Sequence, residues 1–155
     1  VTIEDATLTL IQDAVDAAEE GDVLFEAEVR DDYQTITKDY GVIIGDCTSD
    51  VAPLAGGAMA EFDALLIVVC FARVVGSDKT ERAGARNKAR ALMLAVAGLF
   101  TNDPMMGGEV RDSRVLRCRR GFDSITSADV YAVAHVPLVV NETGQQVDFE
   151  QRLYQ

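Results

Sequence analysis

Phe62-Asp63-Ala64-Leu65-Leu66-Ile67-Val68-Val69-Cys70-Phe71-Ala72-Arg73 decides the fold of this chain. The run is apolar at odd and even positions alike, so a strand built from it is greasy on both faces. A small domain can lay its own helices over one face of such a sheet. Few elements remain to cover the other. That surplus predicts a protein that packs against further copies of itself.

Working outward, the next unit downstream is a helix. Gly76-Ser77-Asp78 ends the strand, and Asp78 with Glu81 has the spacing of a capping box. The helix is expected to run to about Phe100, with Ala85, Ala89, Leu92, Val96 and Leu99 as its buried stripe and Arg82, Arg86, Lys88 and Arg90 outside. Asn102-Asp103-Pro104 stops it, and Gly107-Gly108 opens a turn. Val110–Arg120 reads as an arginine-rich strand, and Asp129–Asn141 as the last one. In the latter, Val130, Ala132, Ala134, Val136, Leu138 and Val140 share a face. Pro137 has no ladder donor, which places an edge or a bulge there.

Upstream, residues 2–20 read as an amphipathic helix capped by Thr2 and stopped by Gly21. Val23–Arg30 reads as a strand, and Val42-Ile43-Ile44 as the centre of a short one. Cys47–Ala60 carries Ser49, Asp50, Pro53, Gly56 and Gly57 and reads as a long loop. The expected fold is α+β: an antiparallel or mixed β-sheet with two α-helices packed on one face, a long loop and a C-terminal tail. Residues 1–141 form a single domain and 142–155 a tail or arm.

Composition narrows the function. The 155 residues are 48% apolar and only 6% aromatic, without Trp, so the core is aliphatic. The 26 acidic and 14 basic residues give a net charge of −12, poorly suited to holding nucleic-acid phosphates or anionic membranes. Such a balance usually serves solubility alone; its sharper reading is a channel wall past which DNA must slide. Cys47, Cys70 and Cys118 are widely spaced, with no zinc or redox motif, and fit a reducing compartment. The acidic, amphipathic start does not read as a secretory leader, and no apolar run reaches membrane-spanning length.

No catalytic constellation is visible. His135 is the lone histidine and has no local nucleophile or orienting acid. Asp31 and Asp32, with Asp39 nearby, lack the spacing of a calcium loop. The glycine pairs lack phosphate-loop patterns. No cofactor or metal is implied, and a non-enzymatic role is expected. The distinctive cluster is Arg111, Arg114, Arg117, Arg119 and Arg120. In one continuous strand, Arg117 and Arg119 share a face, and Arg114 and Arg120 share the other. The run reads either as a solvated edge strand, whose charges deter unwanted sheet pairing, or, less readily, as a nucleic-acid contact without interleaved aromatics. With Arg86 and Arg90 the arginines are also candidates for a subunit interface, because guanidinium pairs with carboxylate bidentately. Asp31, Asp32, Tyr33 and Asp50, with Phe149 and Tyr154 of the tail, are candidates for contact with a partner.

Four segments together resemble the tail terminator, or tail completion, proteins of long-tailed bacteriophages. These are Phe62–Arg73; the Ala-rich helix Ala85–Phe100; Asp103-Pro104-Met105-Met106-Gly107-Gly108 before the arginine strand; and Tyr131–Asn141. The resemblance covers roughly residues 23–142. It implies a ring, typically a hexamer, on the head-proximal end of the tail tube. Such a ring stops tube polymerisation, joins the tail to the head–tail connector or neck protein, and lets DNA through its lumen without reading its sequence. It implies a virion protein assembled in the host bacterial cytoplasm. A neck or head–tail adaptor subunit is the nearest alternative. A small enzyme or ligand-binding domain using the His135–Tyr131 face is a more distant one.

Overall fold

The computed structural model describes residues 3–31, 36–53, 59–76, 78–123 and 130–145. Among the described residues, six strands form one mixed sheet: β1 (Glu28–Arg30), β2 (Tyr40–Pro53), β3 (Met59–Arg73), β4 (Asp112–Val115), β5 (Arg119–Asp123) and β6 (Tyr131–Gln145). The order is β1-β2-β3-β6-β4, with β5 also on the outer side of β6. The pairing of β1 with β2 is parallel and the rest is antiparallel. Helices α1 (Ile3–Ala17) and α2 (Lys79–Asn102) share one hydrophobic core with the sheet, as an α+β fold requires.

The alternation expected of β3 and β6 sets the layers. Ala64, Leu66, Val68, Cys70 and Ala72 turn towards the helices, as do Ala132, Ala134, Val136, Leu138 and Val140, and all are buried. Against them α2 sets Ala85, Ala89, Leu92, Val96 and Phe100. Leu99 is only half-buried; Phe100 takes the place expected for it. At the start of α2, the Asp78 carboxylate accepts the Glu81 N–H at 2.9 Å, the expected cap. Asp78→Ala should cost about 1 kcal/mol, read as a lowered urea midpoint with unchanged slope. An unchanged midpoint would contradict this role.

Several boundaries differ from expectation. Helix α1 ends at Ala17 rather than near Gly21, because Asp22 folds the following residues into a turn of their own. Its carboxylate accepts the Glu19 N–H at 3.1 Å, and its own N–H reaches the Glu19 carbonyl at 3.0 Å. Turns also consume Val23–Ala27, leaving β1 only Glu28–Arg30. The long loop expected over Cys47–Ala60 is instead mostly ladder. β2 runs to Pro53 and β3 starts at Met59, with one bulge between Ile44 and Asp46. Turn-forming residues suggested a loop, but pairing on both sides of β3 overrides their local preference. β6 likewise continues to Gln145, into the segment read as a tail.

Gly41 explains how β1 docks. A Cβ there would collide with the backbone of Glu28, its parallel partner, so only glycine admits this close approach. Glu28 is buried and gathers the chain around it. Its carboxylate accepts from the Thr37 N–H at 2.9 Å, the Lys38 N–H at 2.7 Å and the Arg30 Nε at 3.0 Å.

The second face is less open than the sequence implied. Ile43, Val69, Phe71, Tyr131 and Val133 form a second buried cluster, on which Ile36 and Ile67 pack. Phe71 meets Tyr131 edge to face at 5.6 Å between ring centres. Among the described residues of β3, apolar exposure on this face lies further along the strand, where Leu65 is 39% exposed and Ile67 half-buried.

Candidate interaction surface

The arginine run does not form one strand. It splits into β4 and β5, and Pro137 supplies the reason. The Leu116 N–H donates to the Pro137 carbonyl at 2.9 Å, but the ring nitrogen has no proton to return. The ladder lapses there. Pro137 thus lies in an interior strand, and its missing donor faces the gap between β4 and β5. Val115 pairs with Leu138 and Arg119 with His135, so the outer chain takes four steps while β6 takes three. The extra residue is a bulge, and it reverses the alternation.

This corrects the expected faces. Arg114, opposite Val139, and Arg119, opposite His135, both lie on the helix-free face. Arg120 pairs with Ala134 on the helix side. Arg117 sits exposed in the gap, and Arg111 is exposed just before β4.

Arg120 and Arg86, far apart in sequence, line the same cleft. It encloses about 610 Å³ between α2 and β5, and Asn87, Gly121, Phe122 and Val133 line it too. Arg82 and Arg86 both stand over the Phe122 ring, at 5.3 and 5.7 Å from its centre. Each such contact is worth about 0.5–1 kcal/mol when exposed, and Phe122 is 40% exposed. The ring thus lies within cation–π range of two guanidinium groups. Arg82 and Phe122 were not singled out by the sequence. The signal for Arg82 is its i, i+4 spacing from Arg86; none marks Phe122 before β5 is placed. Arg90 is exposed one turn beyond Arg86.

Of the partner-contact candidates, Asp31 is exposed at a bend after β1. Asp50 lies in β2 opposite Asp63, inside a hairpin rather than a loop. Asp32, Tyr33, Phe149 and Tyr154 lie outside the described residues, as does the proposed Thr2 cap. His135 is half-buried on the helix-free face, but Tyr131 is turned into the second core cluster against Phe71. The two therefore do not present one exposed face.

Burial pushes the Cys70 thiol far up, with nearby Cys118 adding to it, and burial also raises Cys118. Both stay protonated near neutrality, which suits packing rather than nucleophilic chemistry. Among the described residues no three His, Cys, Asp or Glu side chains gather as a metal site, and no helix is long and apolar enough to cross a membrane. Comparison with protein-family models gives no match, and comparison with curated proteins gives none either.

Proposed function

We propose that this chain is the ring-forming subunit of a bacteriophage tail terminator. The observation that carries the reading is the one-sided sheet. Helices cover one face, while Leu65, Ile67, His135, Pro137 and Val139 remain exposed or half-buried on the other beside Arg114 and Arg119. Apolar area of this kind, rimmed by guanidinium groups, suits a contact between protein subunits. The acidic balance suits a lumen through which DNA passes.

The mechanism is geometric. Head-to-tail contacts between identical subunits close into a ring when the rotation per subunit divides a full turn. One rim of the ring offers the last tube layer the surface that another tube subunit would offer. The opposite rim does not, so growth stops and the neck can dock. The purified chain should appear as rings in negative stain. Added to tail tubes growing without a terminator, it should cap one end and arrest elongation. A chain that stays monomeric at millimolar concentration and leaves tube length unchanged would refute the reading.

A further inference from the structure

The charges of this chain are sorted between the two edges of its sheet. Between Glu4 and Glu28 every charged side chain is acidic. From Lys79 to Arg90 only Glu81 is acidic, and from Arg111 to Arg120 only Asp112. One register row runs across the sheet through Glu28, Gly41, Phe71, Val133 and Gly121. At its β1 end, Asp16 and Ala18 of the α1 terminus line a hollow with Glu26 and Glu28. At its β5 end, Gly121 lies in the arginine cleft with Arg86 and Arg120. Four strand spacings separate the two ends, about 19 Å. That exceeds the Debye length of about 8 Å in physiological salt, so the two edges do not neutralise each other within one chain.

The C-terminal end of α1 is also charged against its dipole. The last turn of α1 has no basic residue, and Glu19, Glu20 and Asp22 follow its negative end. At the positive end of α2, Lys79 and Arg82 are balanced by the capping Asp78 and by Glu81. The cations near the acidic edge are engaged locally: Arg30 pairs with Glu28 at 3.0 Å, and the Lys38 ammonium donates to the Glu26 carbonyl at 3.0 Å. The ion pair of Arg73 with Asp39 does not involve Arg82, Arg86 or Arg120 either. Each edge therefore keeps an excess of one sign, complementary to the opposite edge.

We infer that the cleft of Arg86 and Arg120, with Arg82 beside it on the Phe122 ring, receives the α1 terminus of an adjacent copy, with its Asp16, Glu19 and Glu20 against the guanidinium groups. Because donor and acceptor surfaces lie at opposite ends of one row, the contact is head to tail and propagates around a ring. Phe122 holds Arg82 and Arg86 in place, which lowers the entropy lost on pairing. The inference rests on the ring reading above and names the contact that would build the ring.

Charge reversal tests it. R86E/R120E turns the cleft locally acidic, and E19K/E20K turns the α1 terminus locally basic. Each alone should self-associate roughly tenfold or more weakly than wild type by sedimentation. Mixed in equal amounts they should co-assemble, and all four changes in one chain should restore assembly. Wild-type assembly should also weaken as salt rises. If wild type forms rings while both variants assemble normally alone, or if assembly ignores salt, this contact is wrong and the ring reading stands. If wild type is monomeric and inert towards tubes, both fall. If R86E/R120E assembles normally but loses binding to duplex DNA seen in wild type, the cleft serves phosphate instead and the inference is overturned.

Discussion

Phe71→Ala is expected to lower the folding stability by about 4 kcal/mol, a large share of the roughly 5–15 kcal/mol available to a domain of this size. Phe71 is fully buried although it faces away from the helices. Truncation removes the edge-to-face contact with Tyr131 and leaves a cavity among Ile43, Val69 and Val133 that a paired sheet cannot close. Urea unfolding should show a lower midpoint with an unchanged slope. Phe122→Ala provides the contrast: its ring is part-exposed and loses mainly its two guanidinium contacts, so the cost should stay near 1 kcal/mol. Equal losses in the two variants would mean that the second cluster is no real core.

Glu28→Ala should cost about 3 kcal/mol, because removing the carboxylate strands the Thr37 and Lys38 N–H groups and the Arg30 guanidinium. Burial alone would push the Glu28 carboxyl up. The Lys38 and Thr37 N–H donors and Arg30 outweigh it and hold the group below its ordinary value of 4.5. A carboxyl depressed in the folded state binds its proton more readily when unfolded. Its contribution is therefore fully present above about pH 4.5 and is lost as the pH falls through the lower folded value. Wild type should lose stability across that acidic window, and Glu28→Gln should lose less of it there. Parallel pH profiles for the two would show that this carboxylate does not supply the acid sensitivity.

Local sequence made some elements legible and left others hidden for identifiable reasons. The β3 run, the Asp78 cap and the α2 stripe needed only period and capping chemistry, and they lie where these place them. The hairpin through Cys47 and Pro53 did not, because its ladder depends on β3 and β6 rather than on its own turn-forming residues. The arginine faces failed at one residue. A bulge carries no mark in its own segment; its cause is Pro137, on the neighbouring strand. The cleft was half visible: Arg86 and Arg120 were candidates, but their shared hollow exists only because β5 pairs with the start of β6. Phe71 was read as surplus surface because its cover includes Ile36 and Tyr131, brought in from distant parts of the chain.

The register of β3 with β6 has a mechanical consequence. It runs unbroken from Met59–Gln145 to Arg73–Tyr131, while the bulge between Ile44 and Asp46 interrupts only the β2 side. A push on the far end of these two strands therefore meets no hinge between them before it reaches Phe71. Continuous pairing thus ties the far end of these two strands to the packing around Phe71 without a slip in register.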